Sequence, residues 1–315
     1  MQQSLNTFFE ELLFAPRIYH YPFILLLLPL SLIYASVMLL RRVLSIKKTF
    51  DIPIVSVGNL IMGGSGKTPF IIKVASMYDH AFIISRGYGR QSKGLVEVSI
   101  GGHIGVDVSQ SGDEAMLMAQ SLPKASIIVS ENREVAILRA KELGAKVIFL
   151  DDGFNRVEIK KFEILLEPQK IHNFLPLPSG AFREFYFSKY FAHLRLKENR
   201  EFQRMVSFEN LSPKMLLVTA ISNPSRLDLY LPTNVVDRLI FADHEYFDLE
   251  KIKNRMKSVG ATSILVTQKD FVKLGGFEAS ISLMKLDLEI DASILESIKN
   301  YIQSFKLLDQ NHKPS

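Results

Sequence analysis

The rhythm of apolar and polar positions changes along the chain. From residue 23 to residue 40 the run FILLLLPLSLIYASVMLL contains no charge. As a helix it spans roughly 27 Å, close to the bilayer's hydrocarbon thickness of about 30 Å. Pro29 inside it removes a helical hydrogen bond, a loss tolerated more often in membranes than in water. After residue 50, short β-branched runs alternate with helical stretches. Residues 52–57, 81–85, 125–129, 147–150 and 162–166 predict buried strands, and 68–78, 113–121 and 133–143 predict helices. Gly144 stands where a helix-ending glycine belongs. Residues 95–100, running into Gly101-Gly102, predict a strand entering a hairpin.

This alternation predicts an α/β fold with a mostly parallel sheet and helices on both faces. Residues 189–210 are charged and aromatic without a clean period and read as a junction. A second α/β set follows at 215–221, 238–241, 249–259, 263–267, 281–288 and 292–307, and the tail 309–315 reads as disordered. The expected organisation is a membrane anchor with a basic flank over 1–49, a core over 50–210, and a smaller α/β lobe over 211–315.

Composition narrows the chemistry. Among 315 residues there is no cysteine, which excludes disulfides, thiolate catalysis, iron–sulfur clusters and cysteine-ligated zinc. The net charge of +5 suits an anionic membrane surface or phosphate ligands without choosing between them and nucleic acid. Arg41, Arg42, Lys47 and Lys48 follow the apolar run directly, so the positive-inside rule places the remainder of the chain in the cytoplasm. A signal peptide would carry its charge before the run, where Glu10 and Glu11 stand instead. Pro22 and Pro29 leave open whether the segment crosses the bilayer or lies in one leaflet.

The strongest local signal is Met62-Gly63-Gly64-Ser65-Gly66-Lys67-Thr68, placed after a strand and opening a helix. Glycines let backbone N–H groups close around phosphate oxygens, and the helix start adds partial positive charge. Lys67 would reach the β- and γ-phosphates of ATP, and Thr68 would bind Mg²⁺. The strict pattern has a glycine where Ile61 stands. A magnesium-binding carboxylate is also required, and the apolar run 147–150 ends in Asp151-Asp152-Gly153.

Together these pieces resemble the lipid A 4′-kinases, the tetraacyldisaccharide 4′-kinase family. The matching segments are Val57-Gly58-Asn59-Leu60 running into GGSGKTP, Ser85-Arg86-Gly87-Tyr88, Gly112-Asp113-Glu114, Leu150-Asp151-Asp152-Gly153-Phe154, Ser179-Gly180-Ala181-Phe182-Arg183-Glu184, Asp243-His244 and Thr267-Gln268-Lys269-Asp270. The resemblance implies a P-loop kinase core and transfer of the γ-phosphate of ATP to the 4′-hydroxyl of a tetraacyl glucosamine disaccharide 1-phosphate. It implies a cytoplasm-facing enzyme on an anionic bacterial inner membrane, with neither nucleic acid nor an obligate protein partner.

Residue by residue, the resemblance assigns Asp113 as proton acceptor with His244 as its partner. Arg86, Tyr88, Arg133 and Arg183, with Lys269, become phosphate or substrate contacts, since a guanidinium fork matches two phosphate oxygens. Glu184 joins Thr68, Asp151 and Asp152 as a magnesium candidate. Asn155-Arg156, Phe185 and Gln268 depart from the family's usual residues, which puts contacts at Asn155 in doubt. The rival reading is a membrane-tethered P-loop NTPase switch. It would need a purine-selecting motif, to which Thr267-Gln268-Lys269-Asp270 is only a loose likeness.

Overall fold

The computed structural model describes residues 2–61, 66–221, 224–243 and 245–310. Two helices open the chain, α1 (Gln2–Phe14) and α2 (Tyr21–Leu44), the second enclosing the predicted apolar run. Pro22 does not break α2 because it sits in its first turn, where its missing N–H would have no partner. Then come β1 (Ile54–Gly58), α3 (Lys67–Ala75), β2 (Ala81–Ser85), β3 (Val96–Ile100), β4 (His103–Ile104), α4 (Val108–Ser111) and α5 (Asp113–Ser121). They are followed by β5 (Ser126–Val129), α6 (Arg133–Glu142), β6 (Val147–Asp151), β7 (Phe162–Glu167), β8 (Leu194–Lys197) and β9 (Phe202–Glu209). The chain closes through β10 (Met215–Thr219), β11 (Val235–Ile240), α7 (Leu249–Val259), β12 (Ser263–Thr267), α8 (Gln268–Phe271), β13 (Ile281–Ile290) and α9 (Ala292–Gln310). Of the tail expected to be disordered, 309–310 are helical and 311–315 lie outside the described residues.

The chain forms two compact units, each drawn from separated stretches: 1–67, 149–202 and 290–315, then 68–148 and 203–289. In the first unit β1 runs parallel to β7, and β7 parallel to β8, with every residue of β1 buried. In the second, β2 is parallel to β5, while β3 turns back on β4 through Gly101-Gly102, both at positive φ, as the hairpin expectation required. The second unit also holds a sheet ordered β11-β10-β12-β13-β9, with β10 parallel to β11 and β12, and β12 parallel to β13. Alternation along β10 sends Leu216 and Val218 to one face, against Ile252 and Met256 of α7, and Met215 and Leu217 to the other. Both faces are therefore covered, as parallel sheets require.

The stretch 189–210, read as a junction without a clean period, carries regular elements. It carries a 3₁₀ turn over Tyr186–Phe191, then β8 and β9. β9 does alternate, with Phe202, Arg204, Val206 and Phe208 less exposed than their neighbours. An arginine on the inner row and an exposed Met205 on the outer one hide that period from a polarity scan.

One stripe of α2, made of Ile24, Ser31, Ala35 and Arg42, is buried within the first unit. Ser31 Oγ donates to Ser179 Oγ at 2.8 Å and accepts the Ser179 N–H at 2.9 Å, and Ser179 Oγ also donates to the Ile24 carbonyl. Asn173 donates to the Leu12 carbonyl of α1 and to the Ser179 carbonyl. The loop 173–184 is thus fastened to both N-terminal helices by polar contacts that apolar surroundings strengthen.

Candidate functional site

In the first unit β1 delivers its carboxyl end to a cluster of charged side chains. Gly58 is required there by space, since a Cβ on it would stand 2.5 Å from the Cβ of Phe154. Asn59 follows, buried, and its Oδ1 accepts a hydrogen bond from Lys67 Nζ at 3.3 Å. Lys67 Nζ also lies 3.6 Å from Asp152 Oδ1, while Arg183 Nη1 donates to Asp152 Oδ2 at 2.8 Å. One carboxylate is therefore shared by the lysine and one guanidinium. Asp152 takes a left-handed backbone (φ 53) and its N–H donates to the Val57 carbonyl, which turns the chain sharply after buried Asp151. Among the loop residues singled out from sequence, Gly66 has φ 82 and Lys67 begins α3, whereas Met62, Gly63, Gly64 and Ser65 lie outside the described residues.

Glu184 is buried, and both its oxygens are taken by Arg42. Behind β1, Lys161 Nζ lies 2.7 Å from Glu163 Oε1, a buried pair in which desolvation lowers the lysine and raises the carboxylic acid.

The second unit carries a separate constellation around Asp113. Gly112 caps α5 with φ 82, and a Cβ there would stand 2.7 Å from the Tyr88 carbonyl oxygen, so only glycine delivers the chain to Asp113. Asp113 opens the helix buried, with Lys273 Nζ at 3.3 Å and Lys269 Nζ at 3.8 Å from its Oδ2. Lys269 also faces Glu114 at 3.5 Å and Asp243 at 4.0 Å. Burial works against its ammonium form, but Glu114, Asp113, Asp243 and Asp270 together outweigh that and hold its pKa above the ordinary lysine value. His244 lies outside the described residues, next to Asp243.

The remaining motif residues separate by environment. Asp270 is fully buried, accepting from Thr219, Thr267 and the Ala220 N–H, and burial pushes its pKa up. It ties α8 to β10, so the motif Thr267–Asp270 contributes structure through Asp270 and charge through Lys269. Gln268 Oε1 accepts the Leu286 N–H at 3.0 Å. Arg86 and Tyr88 are exposed beside the Gly87 turn, while buried Arg133 donates to the Ser130 carbonyl. Asn155 is exposed, and Phe185 stacks on Phe187. Sequence reasoning missed Lys273, legible only as the residue four after Lys269, and Asn59, which stood unremarked inside a quoted motif.

Chemically, the first constellation can neutralise and orient an anion at the carboxyl end of β1. The second can hold a carboxylate ionised against two ammonium groups. Comparisons with known proteins bear on the family. The family model described as tetraacyldisaccharide-1-P 4′-kinase matches residues 23–196 and 188–304. Proteins called tetraacyldisaccharide 4′-kinase are similar throughout: one from Helicobacter pylori strain HPAG1 is 48% identical over 96% of this chain and 97% of its own. One from Aliarcobacter butzleri is 47% identical, covering 97% and 100%, and one from Campylobacter jejuni strain NCTC 11168 is 38% identical, covering 97% and 99%. Among solved structures, LpxK from Aquifex aeolicus in complex with ATP aligns with a TM-score of 0.75 and 27% identity, over 90% of this chain and 99% of that one.

Proposed function

This chain belongs to the tetraacyldisaccharide-1-P 4′-kinase family, the ATP-dependent kinases of a lipid A precursor, and on that premise we propose how its residues divide the transfer. Phosphoryl transfer needs positioning and charge neutralisation more than covalent chemistry, and its hydroxyl nucleophile needs a proton acceptor. The Gly-rich loop before α3 is assigned the phosphates of ATP, and Lys67 exchanges Asp152 for the γ-phosphate. Arg183, with Arg86 and Arg133, neutralises phosphate charge, and Tyr88 contacts substrate. Asp113 accepts the proton of the 4′-hydroxyl with His244 as its partner.

Magnesium fits the donors present. Among the described residues no three carboxylate or histidine side chains converge into a cage, and the end of β6 offers hard carboxylate oxygens. Magnesium takes one or two carboxylates together with substrate phosphates, which matches Asp151 and Asp152. When bound it would neutralise charge on the phosphate oxygens during transfer. Glu184, engaged by Arg42, is assigned the part of counter-ion instead.

The observation that carries this reading is the Lys67–Asp152–Arg183 chain at the carboxyl end of β1. Its test is transfer of labelled γ-phosphate from ATP–Mg²⁺ to detergent-solubilised disaccharide 1-phosphate. Wild type should label the lipid, and Asp151→Asn should raise the magnesium concentration needed for half-maximal rate at least about tenfold. Label released only as inorganic phosphate, whatever the lipid, would favour an NTPase switch.

Among the described residues one helix, within residues 18–44, is long and apolar enough to cross a membrane. We place it in the bacterial inner membrane's cytoplasmic leaflet, with both units in the cytoplasm. The buried stripe from Ile24 to Arg42 runs about 27 Å along α2 against the first unit, so full crossing would drag the loop 173–184 into hydrocarbon. Leu26, Ile33 and Leu40 are exposed on the opposite side, as an in-plane helix needs. Replacing Leu26 and Ile33 together by glutamate should shift the protein from pelleted vesicles to supernatant, with kcat in detergent within about twofold of wild type. Cleavage of residues 2–17 by protease confined to the far side of the membrane would instead require a spanning helix.

A further inference from the structure

Arg42 is among the buried charges that the roles proposed above leave unexplained. Arg42 is 7% exposed at the inner end of α2, outside every motif that marks the phosphate site. Its Nε and Nη2 donate to the two oxygens of Glu184 at 2.7 and 2.6 Å. Nη2 also donates to the Phe154 carbonyl at 2.9 Å, and the guanidinium lies 4.1 Å from the centroid of the Phe154 ring. One side chain thus grips the two segments that carry the site, because Phe154 ends the run Asp151-Asp152-Gly153 and Glu184 follows Arg183. Those segments meet again where Arg183 holds Asp152. The segment ending at Glu184 also braces the entrance to the phosphate loop: the Arg183 N–H donates to the Leu60 carbonyl at 2.8 Å, and Phe182 bridges Ile61.

A buried ion pair is a weak source of stability, since apolar side chains of similar volume often serve as well. A bidentate fork with a third hydrogen bond fixes orientation, which apolar packing does not. We propose that Arg42 is a positioning residue for phosphoryl transfer: it fixes Glu184 and Phe154 so that Arg183, Asp152 and the approach to Lys67 keep register. The membrane helix is then part of the framework of the catalytic site as well as its tether. This inference rests on the phosphate-site roles proposed above.

The test separates orientation from stability, using the full chain in detergent micelles. Arg42→Met should lower Tm, because Glu184 is left buried without its partner. The double variant Arg42→Met/Glu184→Leu should recover Tm to within a few degrees while kcat stays about 30-fold down, with KM for ATP within about threefold. Amide hydrogen exchange in the peptide covering 182–184 should remain faster than in wild type. Arg42→Lys keeps the charge and loses the fork, so it should hold Tm and lose about tenfold in kcat. A double variant with wild-type kcat and exchange would overturn the proposal and leave the pair as packing alone. Unchanged kcat with a raised KM for the lipid would overturn it in favour of a headgroup contact. Exchange is read without substrate, so a wild type that fails to label lipid would defeat the kinase roles while exchange still decides the positioning role.

Discussion

Lys67→Ala is expected to lower kcat by about 10³ while changing KM for ATP far less. Before nucleotide arrives, Lys67 stands between the Asn59 side-chain oxygen and the Asp152 carboxylate, at 3.3 and 3.6 Å. Both distances are long for charge-assisted contacts, so the ammonium is held without being firmly bound. A γ-phosphate offers it a stronger partner, and the gain grows as charge develops on the transferring oxygens. On the roles proposed above, ground-state affinity would rest mainly on the loop's backbone N–H groups, which the substitution leaves in place. Stability should scarcely change, because Asp152 keeps Arg183 as a partner and the Lys67–Asp152 pair is partly solvent-exposed. Lys67→Arg should also fail to restore the rate, since a planar fork does not replace a compact point charge at this site. Wild-type kcat in Lys67→Ala would reduce the lysine to a counter-ion of Asp152.

Legibility from sequence followed the locality of each signal. Helix α7 is readable because Asp248 caps its start, accepting the Lys251 N–H, and Gly260 closes it at φ 66. Gly144, at φ 84, closes α6 in the same way. The carboxylates after β6 and the lysine that begins α3 were recognisable because phosphate loops fix their order and their flanking elements. What escaped was non-local. Arg42 is paired with Glu184, 142 residues away, and read only as one of four basic residues flanking an apolar run. Ser31, uncharged inside that run, gives no sign in the sequence of its bond to Ser179. The ammonium groups beside Asp113 come from α8 and the turn after it, and no rule of spacing links them to Gly112-Asp113-Glu114. Polar contacts between distant segments follow from tertiary packing, and one sequence does not display that packing.

Asp113→Asn is expected to lower kcat by about 10³, with Tm held within a few degrees of wild type. The amide keeps the volume of the carboxyl group at the first position of α5 but removes its capacity to accept the hydroxyl proton together with the charge that faces Lys273 and Lys269. If Asp113 merely favoured the helix start, the order would reverse: stability would fall slightly and the rate would remain. The surrounding charges supply a second discriminator. Lys273 and Lys269 lie 3.3 and 3.8 Å from the carboxylate and favour its ionised form, ready to take a proton. Burial opposes charge on Lys269, yet Glu114, Asp113, Asp243 and Asp270 together lift its pKa above the ordinary lysine value of 10.5. Its favourable contribution is therefore complete below that value and is lost only as pH rises through the higher folded one, so Lys269 does not titrate across the working range. Lys269→Gln removes that fixed cation and weakens the preference for ionised Asp113. The acidic limb of the kcat profile should then move upward, with the plateau rate largely kept. An acidic limb unmoved in Lys269→Gln, with full rate in Asp113→Asn, would mean that another group takes the proton and that Asp113 serves the helix alone.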